Sequence, residues 1–237
     1  QWRGGHVSYT LDQKQLDRIE EIRFDDVDFR YVTGEPVLKQ VCFNLRLGET
    51  VAVVGPTGAG KTSLISLIPR LYDPTAGRIL LNGRDLREYP SAVFRDKMAL
   101  VMQESFLFSG TIRENVFDGA DGQTPARAEE VIAAANLDGL VGRLPHGLDT
   151  VLGESGSLIS SGERQLIAIA RAFARNPQLI LFDEATSYID SQTELLIQQA
   201  LERLMRQRTA LVVAHRLSTV RNAQRILVMN RGRIIES

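Results

Sequence analysis

Residues 55–63, Gly55-Pro56-Thr57-Gly58-Ala59-Gly60-Lys61-Thr62-Ser63, constrain the fold more than any other stretch of the chain. Upstream lies Glu49-Thr50-Val51-Ala52-Val53-Val54, a β-branched apolar run that reads as a strand. Downstream lies Leu64-Ile65-Ser66-Leu67-Ile68, an apolar run of helical length. Strand, glycine-rich turn and a Gly-Lys-Thr opening a helix make the arrangement that a phosphate-binding loop requires. Glycines let successive backbone N–H groups converge on phosphate oxygens, and the helix N-terminus adds positive potential. Lys61 is then expected to reach the β- and γ-phosphates, and the Thr62 hydroxyl to bind Mg²⁺. The competing reading is a glycine-rich turn with a solvated lysine, and it leaves the flanking strand and helix patterns without a purpose.

The 237 residues, 43% of them hydrophobic, suffice for a full core, as one domain or one domain with a lobe. Lys and Arg number 28 against 29 Asp and Glu, for a net charge of −1. That balance supports neither a nucleic-acid surface nor an anionic-membrane surface. A single cysteine, Cys42, rules out a disulfide within the chain, and its apolar neighbours Val41 and Phe43 make it an expected core residue. No run approaches eighteen apolar residues, and no signal peptide is visible. The chain starts at Gln1 and stops on Glu236-Ser237, ends that suggest a piece of a longer protein.

Residues 1–21 read as a polar linker with some helical tendency, since Leu11, Leu16 and Ile19 are too sparse to make a core face. From Ile22 to Tyr31, and again from Val37 to Leu47, apolar and polar residues alternate as in half-exposed antiparallel strands. Tyr31 is either a sheet-face tyrosine or a ring that stacks on a purine base. The helix after the loop should stop or kink near Pro69, and Asn82-Gly83 should turn a hairpin. Met98-Ala99-Leu100-Val101-Met102 is a short buried strand ending on Gln103. Polar groups where parallel strands end are where open α/β sheets bind ligands, although in isolation Gln103 is an ordinary strand-end residue.

Residues 105–175 change character, with helical periodicity over 125–135, 138–143 and 162–174 and little β signal. They read as a helical lobe inserted into a sheet domain formed by residues 22–104 and 176–237. Within it, Ser160-Ser161-Gly162-Glu163 opens a helix, with Ser160 or Ser161 as N-cap, and the same capped, glycine-containing end also reads as an anion site. Leu179-Ile180-Leu181-Phe182-Asp183-Glu184 is a central parallel strand ending in two carboxylates. If that strand neighbours the one before the loop, Asp183 would hold Mg²⁺ through water and Glu184 would polarise an attacking water. Thr209-Ala210-Leu211-Val212-Val213-Ala214 is another buried strand, and it ends on His215, placed to contact a γ-phosphate. His6 and His146 read as structural.

Taken in order, these motifs resemble one family, the ATP-binding cassette of ABC transporters, over the chain from about residue 22 to its end. The resemblance rests on the phosphate loop, on Gln103 as Q-loop and on residues 160–165 as signature. It rests equally on residues 179–184 as Walker B with catalytic glutamate, residues 187–190 as D-loop, and His215 as switch histidine. It implies an α/β P-loop NTPase core with an antiparallel β subdomain and an inserted α-helical subdomain. It further implies Glu184, His215 and Gln103 as catalytic groups, Thr62, Gln103 and Asp183 around Mg²⁺, and Tyr31 on the adenine of ATP. Thr150-Val151-Leu152-Gly153-Glu154-Ser155-Gly156 looks like the acidic loop by which exporter-type cassettes touch their membrane part, with Glu154 as its matching acid.

The family resemblance also implies a head-to-tail dimer in which Ser160, Ser161, Gly162, Glu163 and Asp190 meet the ATP held by a partner cassette. A fused or associated transmembrane domain, a place at the cytoplasmic face of a membrane and no nucleic-acid partner follow from it. The alternative is a soluble ATPase of the same family acting on nucleic acid or ribosomes, which would favour a basic surface. A P-loop kinase would leave the signature unexplained. The signature departs from the usual Leu-Ser-Gly-Gly-Gln: the chain has Ile159-Ser160-Ser161-Gly162-Glu163, and Ser-Tyr-Ile-Asp replaces the common Ser-Ala-Leu-Asp at 187–190. Ser161 adds a side chain where the family has glycine, and Glu163 would place a like charge near a polyphosphate. Both favour a partner cassette that is a different chain, whose own catalytic glutamate is lost, so that the weakened signature faces a regulatory site.

Overall fold

The computed structural model describes residues 16–102, 106–118, 124–152, 159–183, 189–214 and 220–237. Strands β1 (Glu21–Phe29) and β2 (Leu38–Arg46) pair antiparallel, with Phe24 opposite Phe43. After β3 (Thr50–Val54) come the glycine-rich loop and α1 (Lys61–Leu67). The helix ends before Pro69, as its missing N–H demands. Strands β4 (Ala76–Leu81) and β5 (Arg84–Asp85) form a hairpin through Asn82 and Gly83, both with positive φ, 52° and 79°. That is the backbone an Asn-Gly hairpin turn needs. The first sheet has the order β2-β1-β4-β5 and is antiparallel throughout.

Helix α2 (Ser91–Arg95) leads into β6 (Met98–Val101). Then come β7 (Gly110–Thr111), α3 (Ile112–Phe117), α4 (Pro125–Ala134), α5 (Asp138–Arg143), β8 (Val151–Leu152) and α6 (Ser161–Arg175). Strands β7 and β8 make a two-residue antiparallel ladder within the mainly helical stretch, too short to leave an alternating pattern in the sequence. Strand β9 (Leu179–Asp183), α7 (Ser191–Met205), β10 (Thr209–Val213), β11 (Arg225–Asn230) and β12 (Arg233–Glu236) complete the chain. The second sheet runs β12-β11-β3-β10-β9-β6, parallel except for the edge pair β11-β12.

The central strands bury both faces, and their alternation divides the core in two. Val51, Val53, Leu179, Leu181, Leu211 and Val213 join a core shared with α1 and the antiparallel sheet. Ala99, Val101, Ile180, Phe182, Ala210 and Val212 face the other way, into a core with α6, α7 and helices α3 to α5. Helix α6 therefore packs on the sheet and on α7 while also carrying the stretch before it.

Two expectations change. Cys42 is exposed, not in the core: along β2 the alternation buries Val41, Phe43 and Leu45, so period two turns the cysteine outward, where its sulfur accepts from Asp26 N–H at 3.3 Å. Leu16 and Ile19, expected to be too sparse for a core face, are buried with the first core. Backbone pins compensate for their sparseness. Ile19 N–H donates to Gln178 Oε1 at 2.8 Å, and Asn82 Oδ1 accepts from the N–H groups of Glu20 and Glu21. No helix among the described residues is long and apolar enough to cross a membrane.

Candidate nucleotide site

The loop is held by close backbone approach. Gly55 has φ of 150°, and a Cβ there would lie 2.1 Å from the Met229 carbonyl oxygen on β11, so no side chain fits. Helix α1 opens from Gly60 without a side-chain cap, leaving its first-turn N–H groups for another acceptor. Lys61 is buried and its Nζ donates to the carbonyls of Gly55 and Pro56 at 2.7 and 2.9 Å. The ammonium is thus folded across its own loop, between residues that flank the expected phosphates. Burial lowers its pKa from the ordinary lysine value, and the Asp183 carboxylate opposes that shift.

Thr62 and Asp183 meet directly: Thr62 Oγ1 donates to Asp183 Oδ2 at 2.7 Å. The contact arises differently from the expected one. The strands that carry the loop and the acids are not neighbours, because β10 lies between β3 and β9. It is α1, packed across both β10 and β9, that brings Thr62 over to the end of β9. Asp183 is 1% exposed and offers hard oxygen atoms beside a hydroxyl. A donor set of carboxylate and hydroxyl oxygens suits Mg²⁺, which keeps waters and takes its remaining ligands from phosphates.

Tyr31 follows β1, and its hydroxyl hydrogen-bonds that of Ser63 at 2.9 Å. Phe29 and Tyr72 meet its ring edge-on or nearly so, with centroids 4.8 and 5.1 Å away. Those contacts fix the ring beside the last residue of the loop while leaving it 38% exposed. Tyr72, which the sequence pattern did not single out, is half exposed beside it.

A second cluster sits at the start of α6. Ser160 is its N-cap: Ser160 Oγ accepts from Glu163 N–H at 3.2 Å, and Glu163 Oε2 accepts from Ser160 N–H at 2.7 Å. This reciprocal capping box satisfies two of the end's orphan donors. Glu163 Oε1 accepts from Arg143 Nη2 at 2.5 Å, so its charge is paired and not free. The pairing weakens the repulsion expected between Glu163 and a polyphosphate. Gly162 lies against α7: a Cβ would meet Thr193 Cγ2 at 2.4 Å and Ile189 Cγ2 at 3.0 Å. Asp190 caps α7, with Oδ1 accepting from Thr193 N–H at 2.9 Å. Hydrogen bonds from the backbone and side chain of Thr193 hold its carboxyl below the usual aspartate range.

Two residues that pattern reasoning missed tie the segment at 106–111 to α6. Buried Asn115 accepts from Phe108 N–H at 2.8 Å and donates to the carbonyls of Phe108 and Thr111. Arg171 of α6 donates to Asn115 O at 2.7 Å and Asn115 Oδ1 at 3.1 Å, and its guanidinium covers the Phe108 ring at 5.4 Å. The Thr111-x-x-Glu114 capping box was the available signal that a helix begins there. Gln103, Glu154, Glu184, Ser187, Tyr188 and His215 lie outside the described residues. In the chain, Gln103, Glu184 and His215 follow β6, β9 and β10, three adjacent parallel strands.

Comparison with known proteins places this arrangement. The ABC transporter family model matches residues 38–187. Multidrug resistance protein 1 of Entamoeba histolytica is 49% identical over 220 residues, covering 91% of this chain and 17% of the relative. An ATP-dependent lipid A-core flippase of Syntrophus aciditrophicus is 46% identical over 223 residues, covering 94% of this chain and 37% of the relative. A solved structure of a bacterial Atm1-family ABC exporter with ATP bound superposes with a TM-score of 0.83 at 39% identity, covering 92% of this chain and 38% of that one. The chain thus spans less than two fifths of the length of these relatives. With a phosphate loop on a parallel sheet, a capped signature helix and these matches, the chain belongs to the ABC transporter family, as an ATP-binding cassette of the exporter type.

Proposed function

We propose that this cassette binds ATP with Mg²⁺ on residues 55–63, hydrolyses it, and drives export of a substrate by a transmembrane part at the cytoplasmic face of a membrane. The observation that carries the reading is the Thr62–Asp183 hydrogen bond of 2.7 Å at the mouth of the loop. It gathers a hydroxyl and a buried carboxylate where the β- and γ-phosphates would lie. Both residues would hold the metal, with Gln103 as a further ligand. When bound, Mg²⁺ neutralises charge on the transferred phosphate.

Each remaining role falls to a residue of this chain. Lys61 would exchange its two loop carbonyls for phosphate oxygens, and the N–H groups of residues 55–63 would line the same anion. Tyr31, oriented by Ser63, would stack on the adenine. Glu184 would orient and polarise the attacking water, with His215 at the γ-phosphate. A second cassette would complete the site in trans through its own Ser160, Ser161, Gly162, Glu163 and Asp190. ATP would then close the dimer, and hydrolysis would reopen it. Residues 105–175 would act as the signature-bearing lobe of the cassette, and residues 1–21 as the link to the transmembrane part. That the second cassette is a different chain is supported by Ser161, where the family has glycine, and less by Glu163, whose charge Arg143 pairs. The flippase and multidrug names of the relatives support the exporter reading, whereas a net charge of −1 lends nothing to a nucleic-acid partner.

Lys61→Ala tests the binding half of the reading. Loss of charged hydrogen bonds worth about 1.5–3 kcal/mol should weaken ATP binding by roughly tenfold to 150-fold. Calorimetric titration with ATP and Mg²⁺ measures it, and wild-type affinity would remove Lys61 from the site.

A further inference from the structure

Glu163 stands where the family's usual signature has glutamine, and the structure shows what its charge does. Both carboxylate oxygens are committed, one to Ser160 N–H and the other to Arg143, on a side chain only 18% exposed. Ser160 Oγ accepts from Glu163 N–H, and as an acceptor it keeps its own proton free to donate. Within the first turn of α6, the box leaves the N–H groups of Ser161 and Gly162 for an external anion. The helix end therefore offers one hydroxyl proton and two N–H groups beside a carboxylate. Unpaired, that carboxylate would oppose the anion that the donors are arranged to meet.

Arg143 removes the conflict. It lies in the last turn of α5, twenty residues before Glu163, and reaches the carboxylate from the neighbouring helix while its own side chain stays 52% exposed. Asp138, the other carboxylate lining the cleft of about 340 Å³ between α5, α6 and α7, does not take this guanidinium. We propose that Arg143 is a positioning residue of the signature: it neutralises Glu163 and keeps it turned onto Ser160 N–H, so that Ser160, Ser161 and Gly162 present donors to the partner's ATP. The inference deepens the proposed trans site and rests on it. It makes the Ser-Ser-Gly-Glu sequence a working signature, with the arginine as its required complement.

The test uses the intact protein that carries this cassette, assayed for ATP hydrolysis over a range of ATP concentrations. Arg143→Ala should raise the KM for ATP by about threefold to tenfold with kcat little changed, the effect of losing one partly exposed charge pair beside a ligand. Added salt should shrink the difference, because screening does what the arginine did. Arg143→Lys should recover much of the loss. In a Glu163→Gln background, where no charge needs neutralising, Arg143→Ala should change KM by less than about 1.5-fold. An arginine that merely supports the fold would act equally in both backgrounds, and that outcome, or an unchanged KM in the wild-type background, overturns the proposal. Ser160→Ala separates the two layers. If it weakens ATP use while Arg143→Ala does not, the arginine role alone fails. If Ser160→Ala is silent, the trans reading fails and takes the arginine role with it.

Discussion

Replacing Gly162 with alanine should destabilise the cassette without any nucleotide present. The added Cβ would sit 2.4 Å from Thr193 Cγ2 and 3.0 Å from Ile189 Cγ2, both far inside contact distance. Forcing one methyl into a packed helix crossing costs about 1–3 kcal/mol. Alanine recovers part of this through its helix propensity, up to about 1 kcal/mol over glycine. From the middle of that range, about 2 kcal/mol, full recovery leaves a net loss of about 1 kcal/mol, which corresponds to roughly 2–4 °C in Tm for a domain of this size. Urea unfolding of wild type, Gly162→Ala, Thr193→Ser and the double variant measures it. Thr193→Ser removes the clashing methyl and keeps both the hydroxyl and the N–H that binds Asp190. The double variant should therefore return to within about 0.5 kcal/mol of Thr193→Ser alone, a strong departure from additivity. Full stability in Gly162→Ala, or no relief from Thr193→Ser, would refute the packing of the signature against α7.

Two further outcomes are expected. Tyr31→Ala should weaken ATP binding by about 1–3 kcal/mol, the worth of a base–aromatic stack, and Tyr31→Phe by no more than about 0.5–1.5 kcal/mol, the worth of the lost Ser63 hydrogen bond. Calorimetry with ATP would contradict the stacking role if all three proteins bound alike. Arg171→Met should cost roughly 1–3 kcal/mol in urea unfolding, because it strands the Asn115 backbone carbonyl and leaves the amide oxygen with only the Phe108 N–H. A stability equal to wild type would show that the node at 106–115 is held by other contacts.

Much of this architecture was legible because local signals agreed with the fold. The strand, glycine turn and helix around Lys61 follow from residues close in sequence, as do the Asn82-Gly83 hairpin and the capped start of α6. What was illegible depends on crossings between distant segments. Nothing in residues 179–184 says that β10 intervenes between β9 and β3, or that α1 bridges the gap to bring Thr62 onto Asp183. Arg143 and Glu163 are on different helices, so no helical spacing pairs them. Gly162 reads as a phosphate-facing glycine, and only the packing of α7 shows that Thr193 also excludes a side chain there. Cys42 turns outward because a strand with one buried face sorts residues by alternation, which the apolar triplet Val41-Cys42-Phe43 conceals.

ATP-driven association of a hydrolysis-deficient cassette tests the proposed mechanism most directly. Glu184→Gln keeps the shape of the side chain and removes its basicity, so phosphate release should fall by about a hundredfold or more while ATP still binds. Light scattering on the size-exclusion eluate should then report twice the monomer mass with ATP and Mg²⁺, and the monomer mass without them. Retained nucleotide should amount to one ATP per chain. A variant that turns over ATP at the wild-type rate, or that binds ATP yet stays monomeric both alone and with the partner cassette, would contradict a site built from the loop of one cassette and the signature of another.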